Sequence, residues 1–323
     1  MDLRLINKET VRELLSMKRA IELMRDAYTS LSAGMVDSPL RTALVNDAGT
    51  VLYKPAYSDS AGVFCAKVVS VFADNVNKGL PVTPGIIIVN SAETGMPVAL
   101  VEAGYLTSLR TGAATGLATD LFCAKGVKVA ALFGTGGQSY HQLEAMLEVR
   151  DFETIYVFSR NEENAKRFCA EHQSAFPNCK LIANPSRDVL KQCEVITLAT
   201  TSPVAVIYDE EISDNVHINA IGSLGPNRTE VGTDTMLRAK VYVDQKSACL
   251  AEAGEICLLA EAGLIDDSFE VTEIGEVLSR PSEVLLDGVS VFKSVGNAIQ
   301  DLVCTAEVLR VAELDELGQK VSL

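Results

Sequence analysis

Gly134-Thr-Gly-Gly-Gln138 follows the apolar run Val127–Phe133 and opens a stretch of helical spacing. A glycine-rich turn between a strand and a helix is built to hold phosphate. Gly134 permits the tight turn, Gly136 lets the backbone approach a pyrophosphate, and Gly137 and Gln138 complete the loop. The helix start then offers unpaired N–H groups and a positive dipole end. Ser139 stands where a third glycine is usual and is small enough to pack there. A ligand-free structural turn is the alternative, which the strand–turn–helix context disfavours. The next strand ends Val157-Phe-Ser-Arg-Asn161, without the acidic residue that accepts hydrogen bonds from a ribose 2′-hydroxyl. Ser159 and Arg160, with Asn161 beside them, suit a 2′-phosphate instead. The pattern therefore predicts NADP(H) as the preferred cofactor, with NAD(H) possible. Ala199 and Thr200, ending the strand at 194–199, are expected to complete the cofactor contacts.

Three basic residues suggest an anion site elsewhere. Lys67 interrupts the apolar run Gly62–Phe72. A lone ammonium in a buried strand is costly unless it is paired or meets an anion, and burial can bring its pKa into a range useful for proton transfer. A structural ion pair with a distant acid is the other reading. Arg110 is the only charge between Glu102 and Asp120, on a helix of small residues, and its fork suits a carboxylate. Arg41 opens a strand and joins the set. Tyr53, Lys54 and Leu224 could set the size and charge of such a pocket. His141, His172 and His217 are the only histidines, and ordinary packing or surface roles suit the first two. No G-x-S-x-G, H-E-x-x-H or P-loop lysine motif supports a hydrolase or kinase.

The elements needed to position these groups are legible as two patterns. Residues 9–33 have the spacing of one helix, ended by Gly34. Two hairpins then follow, 41–45 with 50–57 and 86–90 with 97–102, with a strand at 62–73 between them. A small-residue helix spans 104–125. Strands near 127–133, 154–158, 180–183, 194–199, 217–221 and 240–244 alternate with helices near 137–149, 161–174 and 186–192, which implies a parallel sheet with right-handed crossovers. An amphipathic helix at about 297–316 closes the pattern and is expected to return to the first domain. The expected fold class is thus α/β, with a central Rossmann domain at 118–297 and an α+β domain from 1–117 with 298–323.

Composition narrows the partners. A net charge of −15 over 323 residues speaks against nucleic acid and anionic membrane surfaces, without forbidding a small anion in a locally basic pocket. The eight cysteines are scattered, with no metal-ligand spacing, so a reduced, cytoplasmic setting and no metal site are expected. The first residues lack an apolar signal core, and no apolar run reaches membrane length.

Several stretches together resemble the ornithine cyclodeaminase/mu-crystallin family over essentially the whole chain. They are Arg41 soon after Ser38-Pro39, Cys65-Ala-Lys-Val68, Gly79-Leu-Pro-Val-Thr83, Tyr105–Ala114, Gly134–Gln138, Ala251-Glu-Ala-Gly254 and Phe292-Lys-Ser-Val-Gly296. The resemblance implies a substrate-binding and dimerisation domain made by the N-terminal part and the C-terminal helix. It implies that Arg41, Lys67 and Arg110 hold a substrate carboxylate, with Lys67 the candidate catalytic group. Thr83, Ser294 and Val295 would lie at the nicotinamide end, Val295 near the substrate, and Arg110 is expected to reach the cofactor as well. True cyclodeaminases carry an acid/base aspartate in a loop that reads Ile221-Gly-Ser-Leu-Gly225 here, and Leu224 takes its place. Leucine cannot exchange a proton. The family therefore holds three expectations for this chain. The first is an NAD(P)H-dependent oxidoreductase of amino-acid metabolism, an imine reductase. It would reduce a small 2-imino acid, cyclic such as pyrroline-2-carboxylate or piperideine-2-carboxylate, or formed from a 2-oxo acid and an amine. The second is an ornithine or lysine cyclodeaminase releasing ammonia. The third is an NADPH-dependent small-ligand binding protein of crystallin type. A homodimer is implied for each.

Overall fold

The computed structural model describes residues 2–281 and 286–322. Contacts divide the chain into two compact units, Met1–Arg110 with Asn297–Leu323, and Thr111–Gly296. The division falls inside a helix expected from its small-residue run. Arg110 bonds to the C-terminal helix, whereas Thr115 Oγ1 donates to Gln142 Oε1 (2.5 Å) in the second unit.

In the first unit the strands are β1 (Asp2–Ile6), β2 (Thr42–Asn46), β3 (Gly49–Ser58), β4 (Val63–Val71), β5 (Gly85–Ser91) and β6 (Pro97–Glu102). With Gln319–Ser322 they form a mixed sheet ordered 319–322, β1, β6, β5, β4, β3, β2. The β1 and 319–322 strands were not anticipated from the sequence. Both are short, and they lie far apart in the chain although they pair antiparallel. The helix Ala298–Leu314 packs on β3 and β4 and on the helix Met17–Ser32. The single helix expected over 9–33 is two, Lys8–Leu14 and Met17–Ser32. Leu15 is extended and buried, and Ser16 Oγ accepts from Arg19 N (3.2 Å), an N-cap that starts the second helix afresh.

The second unit contains β7 (Val129–Phe133), β8 (Thr154–Phe158), β9 (Lys180–Ala183), β10 (Val195–Leu198), β11 (Val216–Ala220), β12 (Lys240–Val243), β13 (Val271–Glu273) and β14 (Val289–Lys293). Every pairing among them is parallel, in the order β13, β12, β14, β11, β10, β7, β8, β9. Read from β9 to β11, this is the doubly wound order, and it reverses between β7 and β10. Ligands bind at that switch point, outside the carboxyl ends of the strands. Apolar side chains of both faces, among them Leu132, Ile155, Ile196, Ile218 and Val291, are fully buried. No helix among the described residues is long and apolar enough to cross a membrane.

Candidate active site

The first unit gathers its charges around one acid. Asp301 sits in the first turn of the helix Ala298–Leu314. Asn297 caps that helix by accepting from Ile299 N (2.8 Å), and Ser38 Oγ donates to Asn297 Oδ1 (2.7 Å). Lys67 Nζ lies 2.7 Å from both Asp301 carboxylate oxygens and donates to Thr107 Oγ1 at 3.1 Å. Arg110 Nε donates to Asp301 Oδ1 (3.0 Å), and its Nη1 donates to Gln300 Oε1. Gln300 is held in turn by the Tyr28 hydroxyl. Lys67, Arg110 and Asp301 are all buried, as is Lys54, the residue opposite Lys67 in the β3–β4 pairing. Burial pulls the Lys67 ammonium down to about 8, with Asp301 resisting and Arg110 adding to the fall. Burial works against ionisation of Asp301 too, yet Arg110, Lys67 and Lys54 hold its carboxyl below the ordinary range. Arg41 is half-buried just before β2, and Thr83 is exposed in the connection leading to β5.

The second unit offers a cradle for a dinucleotide at the end of β7. Gly134 has φ +105°, and a Cβ there would fall 2.3 Å from Ala199 O, so only glycine lets the turn pass the end of β10. Around Gly136 and Gly137 the structure is open, with no atom within 4 Å of a built Cβ. The helix Ser139–Val149 begins without a side-chain cap, and the Gln138 Oε1 and Ser139 Oγ atoms are buried without a hydrogen-bond partner. Open space, uncapped N–H groups and orphaned polar atoms fit a pyrophosphate. The cradle adjoins the end of β8, where Thr135 Oγ1 donates to Ser159 Oγ (3.4 Å) and Ser159 N donates to Asn184 Oδ1 (2.7 Å). Arg160 is exposed. The Asn161 side chain is engaged, accepting from Glu163 N (3.0 Å) as a helix cap.

Three buried carboxylates, Glu230, Glu255 and Asp244, fasten the other loops at this edge of the sheet. Glu230 Oε1 accepts from Thr200 N and Oγ1, both 2.7 Å, and its Oε2 from Gly222 N (2.6 Å) and Ser223 N (3.0 Å). Lys293 Nζ meets Glu255 Oε2 (2.9 Å) and donates to Ser223 Oγ (2.7 Å). Burial pushes the Glu230 carboxyl up, against the pull of Lys293. Asp244 Oδ2 accepts from Ser294 Oγ (2.7 Å) and Gly296 N (2.8 Å), fixing the turn around the buried Val295. Leu224 is half exposed between Ser223 and Gly225. His217 is drawn down to about 4 by burial and joins Ser290 and Asn219 in a neutral core network.

Lys67 and Arg110 thus converge on one acid in the first unit, and the glycine loop, Ser159, Ala199, Thr200 and Ser294 line one edge of the second unit's sheet. Sequence reasoning missed Asp301, Glu230, Asp244 and the Lys293–Glu255 pair. A lone acid in the otherwise uncharged run Ala298–Ala306 was the available signal for Asp301, and Lys293 ends a largely apolar strand as Lys67 interrupts one.

A doubly wound sheet with this cradle defines a nicotinamide-dependent oxidoreductase. The family model "Ornithine cyclodeaminase/mu-crystallin family" matches residues 2–313, and the chain belongs to that family. It is 31% identical to a delta(1)-pyrroline-2-carboxylate reductase of Bacillus cereus, with 98% of each chain covered. Among solved structures it is similar to the Thermococcus litoralis delta(1)-pyrroline-2-carboxylate reductase in complex with NADH and L-proline (TM-score 0.94, 32% identity, 99% of this chain and 100% of that one). It is also similar to an archaeal alanine dehydrogenase dimer with bound NAD (TM-score 0.93, 30% identity, all of both chains).

Proposed function

We propose that the chain reduces small 2-imino acids to amino acids, with pyrroline-2-carboxylate and the imines of short 2-oxo acids as the substrate class. The observation that carries this reading is the buried Lys67–Asp301–Arg110 cluster, in which two cations share one carboxylate. A substrate carboxylate completes that balance, and charge-assisted bonds to an arginine fork fix its orientation. The nicotinamide supplies the hydride. Arg41 and Arg110 hold the substrate carboxylate so that the imine carbon is presented in one orientation. An ammonium has three donors, and Asp301 and Thr107 take two from Lys67. In the proposed mechanism the remaining donor serves the substrate, either its carboxylate or the nitrogen as it becomes an amine. Reductases of Bacillus cereus and Thermococcus litoralis named for pyrroline-2-carboxylate support the substrate class. Leu224 at a position held by an acid in true cyclodeaminases speaks against ammonia-releasing turnover.

NADP(H) is the proposed preferred cofactor, supported by Ser159 and exposed Arg160 at the end of β8 and the lack of an acid there. Thr83, Gly134, Gly136, Gly137, Gln138, Ala199, Thr200 and Ser294 are its proposed contacts, with Val295 at the substrate end. A homodimer through the first unit's sheet is also proposed. Tyr53, Phe64 and Ile86 leave an apolar patch on the face opposite the helices, of the kind that marks an interface, and the similar archaeal alanine dehydrogenase is a dimer. The test is a spectrophotometric screen of NADPH and NADH against cyclic imines, and against pyruvate, glyoxylate and oxaloacetate with and without amines. Stoichiometric cofactor oxidation with at least one imine is expected. Ammonia release from ornithine or lysine without net cofactor change would replace this reading with cyclodeamination.

A further inference from the structure

The parallel ladder of β10 and β11 ends at Leu198 and Ala220. Ile221 N still donates to Leu198 O (3.0 Å), but the amides of Thr200, Gly222 and Ser223 lie beyond the sheet. A buried amide without an acceptor is costly. All three donate to one side chain. Glu230 Oε1 accepts from Thr200 N and Oγ1, both 2.7 Å, and its Oε2 from Gly222 N (2.6 Å) and Ser223 N (3.0 Å). Each of these partners is a donor, so the carboxylate is the form that satisfies the loops. A side-chain amide has a single acceptor oxygen and could serve only one of them. The two loops touch backbone to backbone, since a Cβ on Gly222 would fall 2.2 Å from Thr200 O.

Glu230 is itself anchored. Its N–H donates to Glu255 Oε1 (2.9 Å), which also accepts from Ser223 Oγ (2.7 Å). Lys293 Nζ meets Glu255 Oε2 (2.9 Å) and donates to Ser223 O (3.0 Å) and Ser223 Oγ (2.7 Å), which uses all three ammonium donors. Glu230, Glu255, Lys293 and Ser223 are all buried. Packing alone does not ask for such a network, because apolar residues of similar volume are often as stable. A fully satisfied network fixes one arrangement. What it fixes here lies beside the phosphate loop, for Ala199 O, next to Thr200, is the atom that excludes a Cβ at Gly134. A dinucleotide spans the switch point of such a sheet, its adenosine half over β7 and β8 and its nicotinamide half over β10 and β11. We propose that Glu230 is a positioning residue for hydride transfer, presetting the loops after β10 and β11 as a bed for the nicotinamide half of the cofactor. The inference rests on the reading of Gly134–Gln138 as the cofactor cradle. Loss of Glu230 should therefore separate the two halves of the cofactor in their response.

The test compares whole cofactors with fragments that lack the nicotinamide, by calorimetry on the full chain. The pairs are NADH with ADP-ribose and NADPH with 2′-phospho-ADP-ribose. Glu230→Gln turns an NH2 group toward one pair of donors, and circular dichroism establishes whether the variant is folded. It should weaken the whole cofactor by about 10-fold and leave the fragment of the same pair unchanged. At saturating cofactor, kcat for imine reduction should fall by about 100-fold while KM for the imine changes little. Glu230→Asp, which keeps both oxygens on a shorter stem, should lie between. A folded Glu230→Gln that weakens cofactor and fragment alike, or neither, overturns the proposal. If neither whole cofactor nor fragment binds the wild type, the cradle reading fails and this inference with it. Should Glu230→Gln not fold, hydrogen exchange on the cofactor-free wild type decides. The amides of Thr200, Gly222 and Ser223 should be protected by about 100-fold or more before any cofactor is added. Exchange there at the rate of an exposed loop overturns the preset bed.

Discussion

Replacing Asp301 by asparagine preserves the shape of the side chain and removes the one carboxylate that Lys67 and Arg110 both reach. At a separation of roughly 4 Å and an effective dielectric of about 20, a unit charge pair is worth about 4 kcal/mol, or about 3 pK units on the lysine. The Lys67 ammonium stands at about 8 with Asp301 in place. Its lowered pKa means that this lysine opposes folding fully below about pH 8, and the opposition fades as pH rises toward the unfolded value of about 10.5. If Lys67 acts as proposed, reduction needs the protonated lysine, so kcat/KM in the wild type should hold to about pH 8 and fall above it. In Asp301→Asn the alkaline limb should move down by about 3 units, with kcat/KM at neutral pH lowered on the order of 100-fold. The assay is a pH profile of imine reduction at saturating cofactor, with circular dichroism to establish that the variant is folded. A folded Asp301→Asn enzyme whose alkaline limb stays near pH 8 would refute the electrostatic account of Lys67.

Other perturbations probe other parts of the molecule. Gly134→Ala places a Cβ 2.3 Å from Ala199 O at a positive φ, so cofactor affinity should drop by about 100-fold or more in a fluorescence titration. Unchanged affinity there would mean that the cradle is not the cofactor site. Arg160→Asp should raise Kd for NADPH by about 10-fold or more while affecting NADH little, and a wild type that binds NADH much more tightly than NADPH would remove the NADP(H) preference. His217, lowered to about 4, contributes stability that is complete above about pH 6.5 and lost as pH falls toward 4, about 3 kcal/mol in all. Denaturant unfolding across that window should show a shallower pH slope in His217→Asn, and an identical slope would exclude His217 as its source.

The parts of this molecule legible in its sequence are those whose signals are local. Gly134–Gln138 reads as a cradle because strand, turn and helix lie within a few residues of each other, and β8 and β9 fall at the bounds their apolar runs suggest. Lys67 and Arg110 stand out because a charge in an apolar stretch demands a partner. The partner itself was invisible, since Asp301 lies 234 residues from Lys67 and only the return of the C-terminal helix brings them together. The loop fasteners Glu230 and Asp244 escaped for the same reason. Their partners are backbone N–H groups and hydroxyls of other loops, which leave no mark on residue pattern. β13 was missed because three residues carry too little periodicity, and β14 because Ser290 and Lys293 break up its short apolar stretch. At Ser16 the helical spacing continues through a break that capping, not hydrophobicity, decides.

Hydride transfer to the carbon that carries the substrate carboxylate is the central claim, and isotope transfer tests it most directly. The enzyme would be given cofactor deuterated at the nicotinamide C4, in turn at each face, together with pyrroline-2-carboxylate and the imines of oxaloacetate and pyruvate. The products would be read by NMR. The account predicts one face of the cofactor delivering deuterium to C2 of the amino acid, with one cofactor oxidised per product and no ammonia released. Products without deuterium at C2, or ammonia formed while the cofactor returns unchanged, would contradict it.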